Sequence, residues 1–193
     1  MNTRPAMAAL AALIVLSTTG QALALDAYKD RRGFLLRVGV GGTSSQACGK
    51  ECVDRHLGLG LRLRAGVGLN QNTTADFGLH ITDSTGDGLS GLPGNAQRTV
   101  SGLFIGANYY TIGGAYARLT IGLSQFEETQ PSVVGLRPPP VKETGLAYGG
   151  ELGFEMFANA DWAVAISVDM EVHEYDDGLS AKLLTFGITG THY

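Results

Sequence analysis

Cysteine is scarce in this chain of 193 residues, with only Cys48 and Cys52 present. A fold stapled by several disulfides is excluded, and so is a four-cysteine zinc site. Cys-x-x-x-Cys can close one disulfide, and by itself it could also take a metal. No further Cys or His stands at a plausible ligand spacing, so a Cys48–Cys52 disulfide is expected and no metal is. Long apolar runs are lacking as well. The stretch over residues 6–16 is shorter than the ~20 residues a membrane-crossing helix needs, and no other run approaches that length. An excess of positive charge is absent, with 14 Lys and Arg against 18 Asp and Glu. That balance argues against a nucleic-acid partner, which selects a basic face.

Glycine, by contrast, is abundant, at 28 residues. Glycine inside a helix costs up to about 1 kcal/mol, and the collagen period is missing, so a helical or collagenous chain is not expected. The first 24 residues carry Arg4, the apolar run and the small-residue pattern Ala22-Leu23-Ala24. This is the layout of a secretory signal peptide. No Cys follows the run, so a lipid-anchored product is not expected. Cleavage after Ala24 would leave residues 25–193 as one mildly acidic domain, since Arg4 is the leader's only charge.

The informative signal is strict alternation. Leu57, Leu59, Leu61, Leu63, Ala65, Val67 and Leu69 are interleaved with Gly58, Gly60, Arg62, Arg64, Gly66 and Gly68. One face is apolar and the other is glycine or arginine, the period-2 pattern of a strand. The same rhythm recurs around Phe34–Gly41, Ala75–Thr82, Ala117–Ser124, Tyr148–Met156 and Trp162–His173. Residues 99–110 and 183–193 are also strand-like, but their facing stays open. The total is about eight strands, several with the nine to eleven residues that a tilted membrane strand needs. Connections alternate between long (42–56, 84–97, 127–143) and tight (70–73, 111–114, 158–161, 176–179). That layout suits a barrel with long loops at one end and short turns at the other.

A soluble barrel would turn the same apolar face inward and expose the other face to water. Glycine is a poor residue for a solvated strand face, yet here it fills that face. Inside a narrow barrel, small residues would make room for long neighbours. The charges on the face also balance. Arg37, Arg62, Arg64 and Arg118 stand against Asp76, Glu151, Glu155, Asp169 and Glu171. An interior ion-pair network is expected, because unpaired buried charge is costly. Trp162, Phe157, Tyr109 and Tyr110 near tight turns, with Tyr175 and Phe126 near the other end, are expected to form interfacial girdles.

With these features the chain resembles the small outer-membrane β-barrel family, the group that includes the transmembrane domain of outer membrane protein A. Arg32-Gly33-Phe34-Leu35-Leu36-Arg37-Val38-Gly39-Val40-Gly41-Gly42 is similar to the family's opening strand. Phe186-Gly187-Ile188-Thr189-Gly190-Thr191-His192-Tyr193 is similar to its closing strand, whose terminal aromatic serves as an assembly signal. Tyr193 would fill that role. One departure stands out: Thr191, Thr189 and Gly187 share its parity where the family has apolar residues. Either a bulge shifts the register or Tyr193 points inward. The resemblance implies an all-β, antiparallel, up-and-down transmembrane β-barrel in the outer membrane, with lipid and the barrel assembly machinery as partners.

No catalytic motif is found. His80 and His173 lack the His-x-Ser arrangement of lipid-modifying barrels, and His173 with Asp169 or Glu171 is expected to belong to the lumen network. Gly39-x-Gly41-Gly42 lacks the Lys-Ser/Thr of a phosphate loop. No cofactor is expected. The leading functional expectation is a non-enzymatic structural or surface-interaction protein whose loops meet an extracellular ligand. A narrow or gated small-solute channel and a soluble barrel enclosing a hydrophobic ligand are the alternatives.

Overall fold

A computed structural model describes residues 31–49, 52–89, 95–111, 113–130 and 139–193. The expected leader at residues 1–24 lies outside the described residues. Eight strands follow in chain order: β1 (Gly33–Cys48), β2 (His56–Gly68), β3 (Thr73–Asp87), β4 (Asn95–Tyr110), β5 (Ala115–Thr129), β6 (Val141–Phe157), β7 (Trp162–Tyr175) and β8 (Ser180–His192). Each pairs antiparallel with its sequence neighbour, and β1 pairs with β8, closing the barrel. Closure leaves no unpaired sheet edge. Among the described residues the only helical element is the 3-10 turn Asp176–Gly178, and no helix is long and apolar enough to cross a membrane.

The alternation sets the two faces. Phe34, Leu36, Val38 and Val40 of β1 point outward and are each 47–64% exposed, while Leu35 and Arg37 are buried. Leu59, Leu119, Ile121, Leu152, Ile166 and Phe186 extend the same outer belt around the wall. The apolar surface is therefore outside, the reverse of a soluble barrel. The two strands of undecided facing follow the same rule. In β4 the even positions Arg98, Val100, Phe104, Asn108 and Tyr110 point in, and in β8 the odd positions Leu183, Thr185, Thr189 and Thr191 do.

The tight β2–β3, β4–β5 and β6–β7 links keep to one end, while the short link 176–179 joins β7 to β8 at the other. Asn70 Oδ1 accepts from the Asn72 amide at 2.9 Å, and Asn159 Oδ1 accepts from the amides of Asp161 and Trp162 at 2.9 Å. Such side-chain turns explain why Asn punctuates these links. Gly114 takes φ +84°, a conformation that favours glycine.

The long connections are shorter than the sequence suggests. Residues 42–48, 84–87, 95–97, 127–129 and 141–143 are strand, where the sequence reading had loop. In these stretches the apolar alternation stops, because both faces turn polar. The ladder nevertheless continues, with Thr43 Oγ1 3.0 Å from Thr185 Oγ1 and Ser45 Oγ 2.9 Å from Ser84 Oγ across the interior. The barrel thus rises past its apolar belt at the long-loop end. Cys48 and Cys52 are joined by a disulfide at the β1 tip.

Candidate functional site

The interior holds the chemistry. Arg37 and Leu35 come from β1, Arg62 and Arg64 from β2, Asp76 and His80 from β3, Arg118 from β5, Glu151 and Glu155 from β6, and Asp169, Glu171 and His173 from β7. All are buried. Eight of the nine charged residues singled out from the sequence meet in two chains, and the ninth, Glu171, does not. In one, Arg118 Nη2 lies 2.7 Å from Asp76, Asp76 is 3.7 Å from Arg37, and Arg37 is 4.0 Å from Glu155. In the other, Arg64 Nη2 donates to Glu151 at 2.7 Å, Glu151 is 3.7 Å from Arg62, and Arg62 Nη2 lies 2.6 Å from Asp169. Glu171 stands apart, 2.7 Å from His80 and 3.3 Å from His173.

Interior glycines create the room for these side chains. A Cβ on Gly106 would collide with the Arg118 guanidinium, and one on Gly153 would lie 2.5 Å from Tyr116 Cζ. Gly102 on β4 itself and Gly122 on β5 likewise border the Phe104 ring. A long inward side chain therefore lies over a neighbouring glycine, which lets side chains fill a narrow lumen.

Both ends of the lumen are stoppered. At the short-turn end the Arg31 guanidinium lies 4.0 Å from the Tyr110 ring centroid, and Arg31 Nε donates to Glu155 at 3.0 Å. Tyr110 packs on Tyr116 and Phe157 on Tyr193, each pair with centroids 5.2 Å apart. At the long-loop end Phe126 and Tyr175 pack at 5.6 Å with Ala47, Val100 and Leu183 around them, and Arg98 donates to Glu128 at 2.9 Å. Between the stoppers, a void bordered by Arg64, His80, Phe104, Arg118 and Glu171 measures about 10 Å³, room for roughly one water.

This arrangement corrects the expected aromatic girdles. Phe157, Tyr110, Tyr175 and Phe126 point inward, whereas Trp162 and Tyr109 face out. Parity decides it: Phe157 is in step with Glu155, Tyr175 with His173, and Phe126 with Ser124. Tyr193 also points inward, with no bulge in the β8 register, and its hydroxyl donates to Glu155 at 2.8 Å.

A closed eight-stranded barrel, apolar outside and charged inside, is matched by solved structures at low identity. Ail, the attachment invasion locus protein of Yersinia pestis, solved with the heparin analogue sucrose octasulfate, superposes with TM-score 0.61 at 14% identity, over 82% of this chain and 98% of that one. Neisserial surface protein A superposes with TM-score 0.52 at 13% identity, over 81% and 95%. The chain has the fold of the small outer-membrane β-barrels. No protein-family model and no curated protein sequence matches it. In such a barrel the outward belt is the surface that meets lipid.

One hydrogen-bonded series resembles catalytic connectivity. Thr82 Oγ1 is 3.1 Å from His80 Nε2, and His80 Nδ1 is 2.7 Å from Glu171 Oε2. A hydroxyl, an imidazole and a carboxylate in that order can activate a nucleophile. Thr82 is 1% exposed, however, and among the described residues it is enclosed in the lumen between the two stoppers. Sequence reading missed Arg31, Arg98, Glu128, Tyr110 and Tyr116 as lumen residues. Arg98 and Glu128 share the inward parity of their strands, but Glu128 falls in the expected loop 127–143 and Arg98 between the expected loop 84–97 and the strand-like stretch 99–110. Arg31 precedes the first alternating residue and carried no signal.

Proposed function

We propose that this protein is an outer-membrane barrel whose lumen serves structure and whose outer rim serves contact, without enzymatic activity. Residues 1–24 would direct export and be cleaved, and Tyr193 would contribute to recognition by the assembly machinery. The observation that carries the reading is the lumen stoppered at both ends around paired charges. A channel needs a continuous aqueous path, and an interior ligand needs an apolar cavity. Neither is found among the described residues.

Among the described residues the rim at the long-loop end is acidic. Asp54, Asp83, Asp87, Glu143, Glu174 and Asp176 outnumber Arg55, Lys142 and Lys182. Ail was solved with a sulfated, strongly anionic ligand, and an acidic rim repels that class. The partner proposed here is accordingly a neutral or basic surface. Purified barrel in planar bilayers should give no unitary conductance, and barrel in vesicles should not be retained on heparin resin at low salt. Steady conductance would restore the channel reading, and salt-sensitive heparin retention would overturn the acidic-rim argument.

A further inference from the structure

We propose that His80, Asp169, Glu171 and His173 form a binding site for one divalent transition cation of the Zn²⁺ class inside the lumen. His80 projects from β3, and Asp169, Glu171 and His173 project from alternate positions of β7, across the barrel. One ligand atom each from His80, Asp169 and Glu171 lies within 4.8 Å of the other two. A tetrahedral cation with bonds near 2.1 Å holds its ligand atoms about 3.4 Å apart, so small rotamer changes complete the geometry. His173 Nε2, 3.3 Å from the Glu171 carboxylate, supplies the fourth position.

Three observations point to a cation here. His173 is 1% exposed, and neither ring nitrogen has a hydrogen bond of proper geometry, Nε2 standing 3.3 Å from Glu171. Both Asp169 oxygens also lack a hydrogen bond of proper geometry, although Arg62 lies 2.6 Å away, so one oxygen can keep that arginine while the other takes a metal. Glu171 has no arginine within ion-pair distance among the described residues; its ionic contacts are the two imidazoles. A buried carboxylate whose ionic contacts are two imidazoles is stabilised by positive charge placed among them, which a proton or a metal ion supplies. Thr82 Oγ1 at 3.1 Å can accept from His80 Nε2–H, which leaves Nδ1 free to bind a metal. Such an outer hydrogen bond is the usual support of a ligating histidine. Two imidazoles with two carboxylates suit Zn²⁺, Co²⁺, Ni²⁺ or Fe²⁺ more than Mg²⁺ or Ca²⁺.

The stoppered lumen implies loading during folding, so tag-free barrel would be refolded in detergent with Co²⁺ or Zn²⁺ and then gel-filtered. Near-stoichiometric metal, with visible Co²⁺ ligand-field bands of a four-coordinate site, is expected. His173→Gln and His80→Gln should each lower retained metal at least about tenfold, and His56→Ala should leave it unchanged. The heat-dependent gel shift establishes that each variant is folded. A folded wild-type barrel that retains no metal would mean that a proton alone balances Glu171, and would overturn the proposal. Equal retention in folded His173→Gln and His80→Gln would overturn it too.

Discussion

Glu151 is the joint of one lumen chain, and replacing it with Gln tests the interior most sharply. Its carboxylate is 1% exposed; it accepts from Arg64 at 2.7 Å and from the Tyr116 hydroxyl at 2.5 Å, and lies 3.7 Å from Arg62. Gln preserves the shape and removes the charge. Arg62 still has Asp169, but Arg64 loses the one ion pair it makes among the described residues and stays buried. Stranding one partner of a buried pair costs about 3–5 kcal/mol. Gln keeps part of the hydrogen bonding, so about 3 kcal/mol is expected. The assay is urea unfolding of the vesicle-inserted barrel, followed by fluorescence of Trp162, the single tryptophan. Pairing the change with Arg64→Met should recover much of the loss, since the stranded charge is then gone. The exposed pair Lys142–Glu127 is the control, with side chains 53% and 38% exposed; its loss should cost at most about 1 kcal/mol. A Glu151→Gln cost no larger than the control's would refute the claim that these charges are dry and mutually dependent.

Other consequences follow from the same geometry. Gly106→Val should abolish the heat-dependent mobility shift, because a side chain there displaces the Arg118 guanidinium from Asp76; a folded variant of wild-type stability would contradict the room-making role of glycine. Ile121→Arg on the outer belt should destabilise the inserted barrel by about 2–4 kcal/mol in urea titrations, and a neutral effect would mean that this face does not meet lipid. Reducing Cys48–Cys52 opens only a five-residue loop, sequence separation 4. Unfolding with reductant should therefore shift stability by no more than about 2 kcal/mol, on loop-entropy grounds, with the gel shift intact.

Strand number, order and facing were legible because each strand within the belt meets a different solvent on each side. Leu57 to Leu69 shows this best: lipid selects the leucines, and the crowded lumen selects glycine and arginine. The signal failed where the contrast ended. Thr43, Ser45, Ser84 and Gln97 are strand residues with polar groups or water on both sides, so no period marks them. Backbone pairing with the neighbouring strand extends the ladder there, and that is a long-range contact which no local pattern reports. The aromatic assignments failed for a different reason. Position near a strand end was used where parity with Glu155 and His173 would have turned Phe157 and Tyr175 inward.

Residue types could announce the lumen charges, but not their partners. Arg62 and Asp169 are joined only because closing the barrel carries β2 across from β7. The same closure isolates Glu171 with two histidines while its strand neighbour Asp169 receives the arginine. The interior therefore divides into arginine–carboxylate chains, one of them extended by Arg31 at Glu155, and one imidazole–carboxylate cluster whose charge depends on what it binds. A lumen selected for rigidity alone would have extended the arginine pattern to Glu171. That one layer departs from it is the physical reason to look for a bound cation there rather than among the arginines.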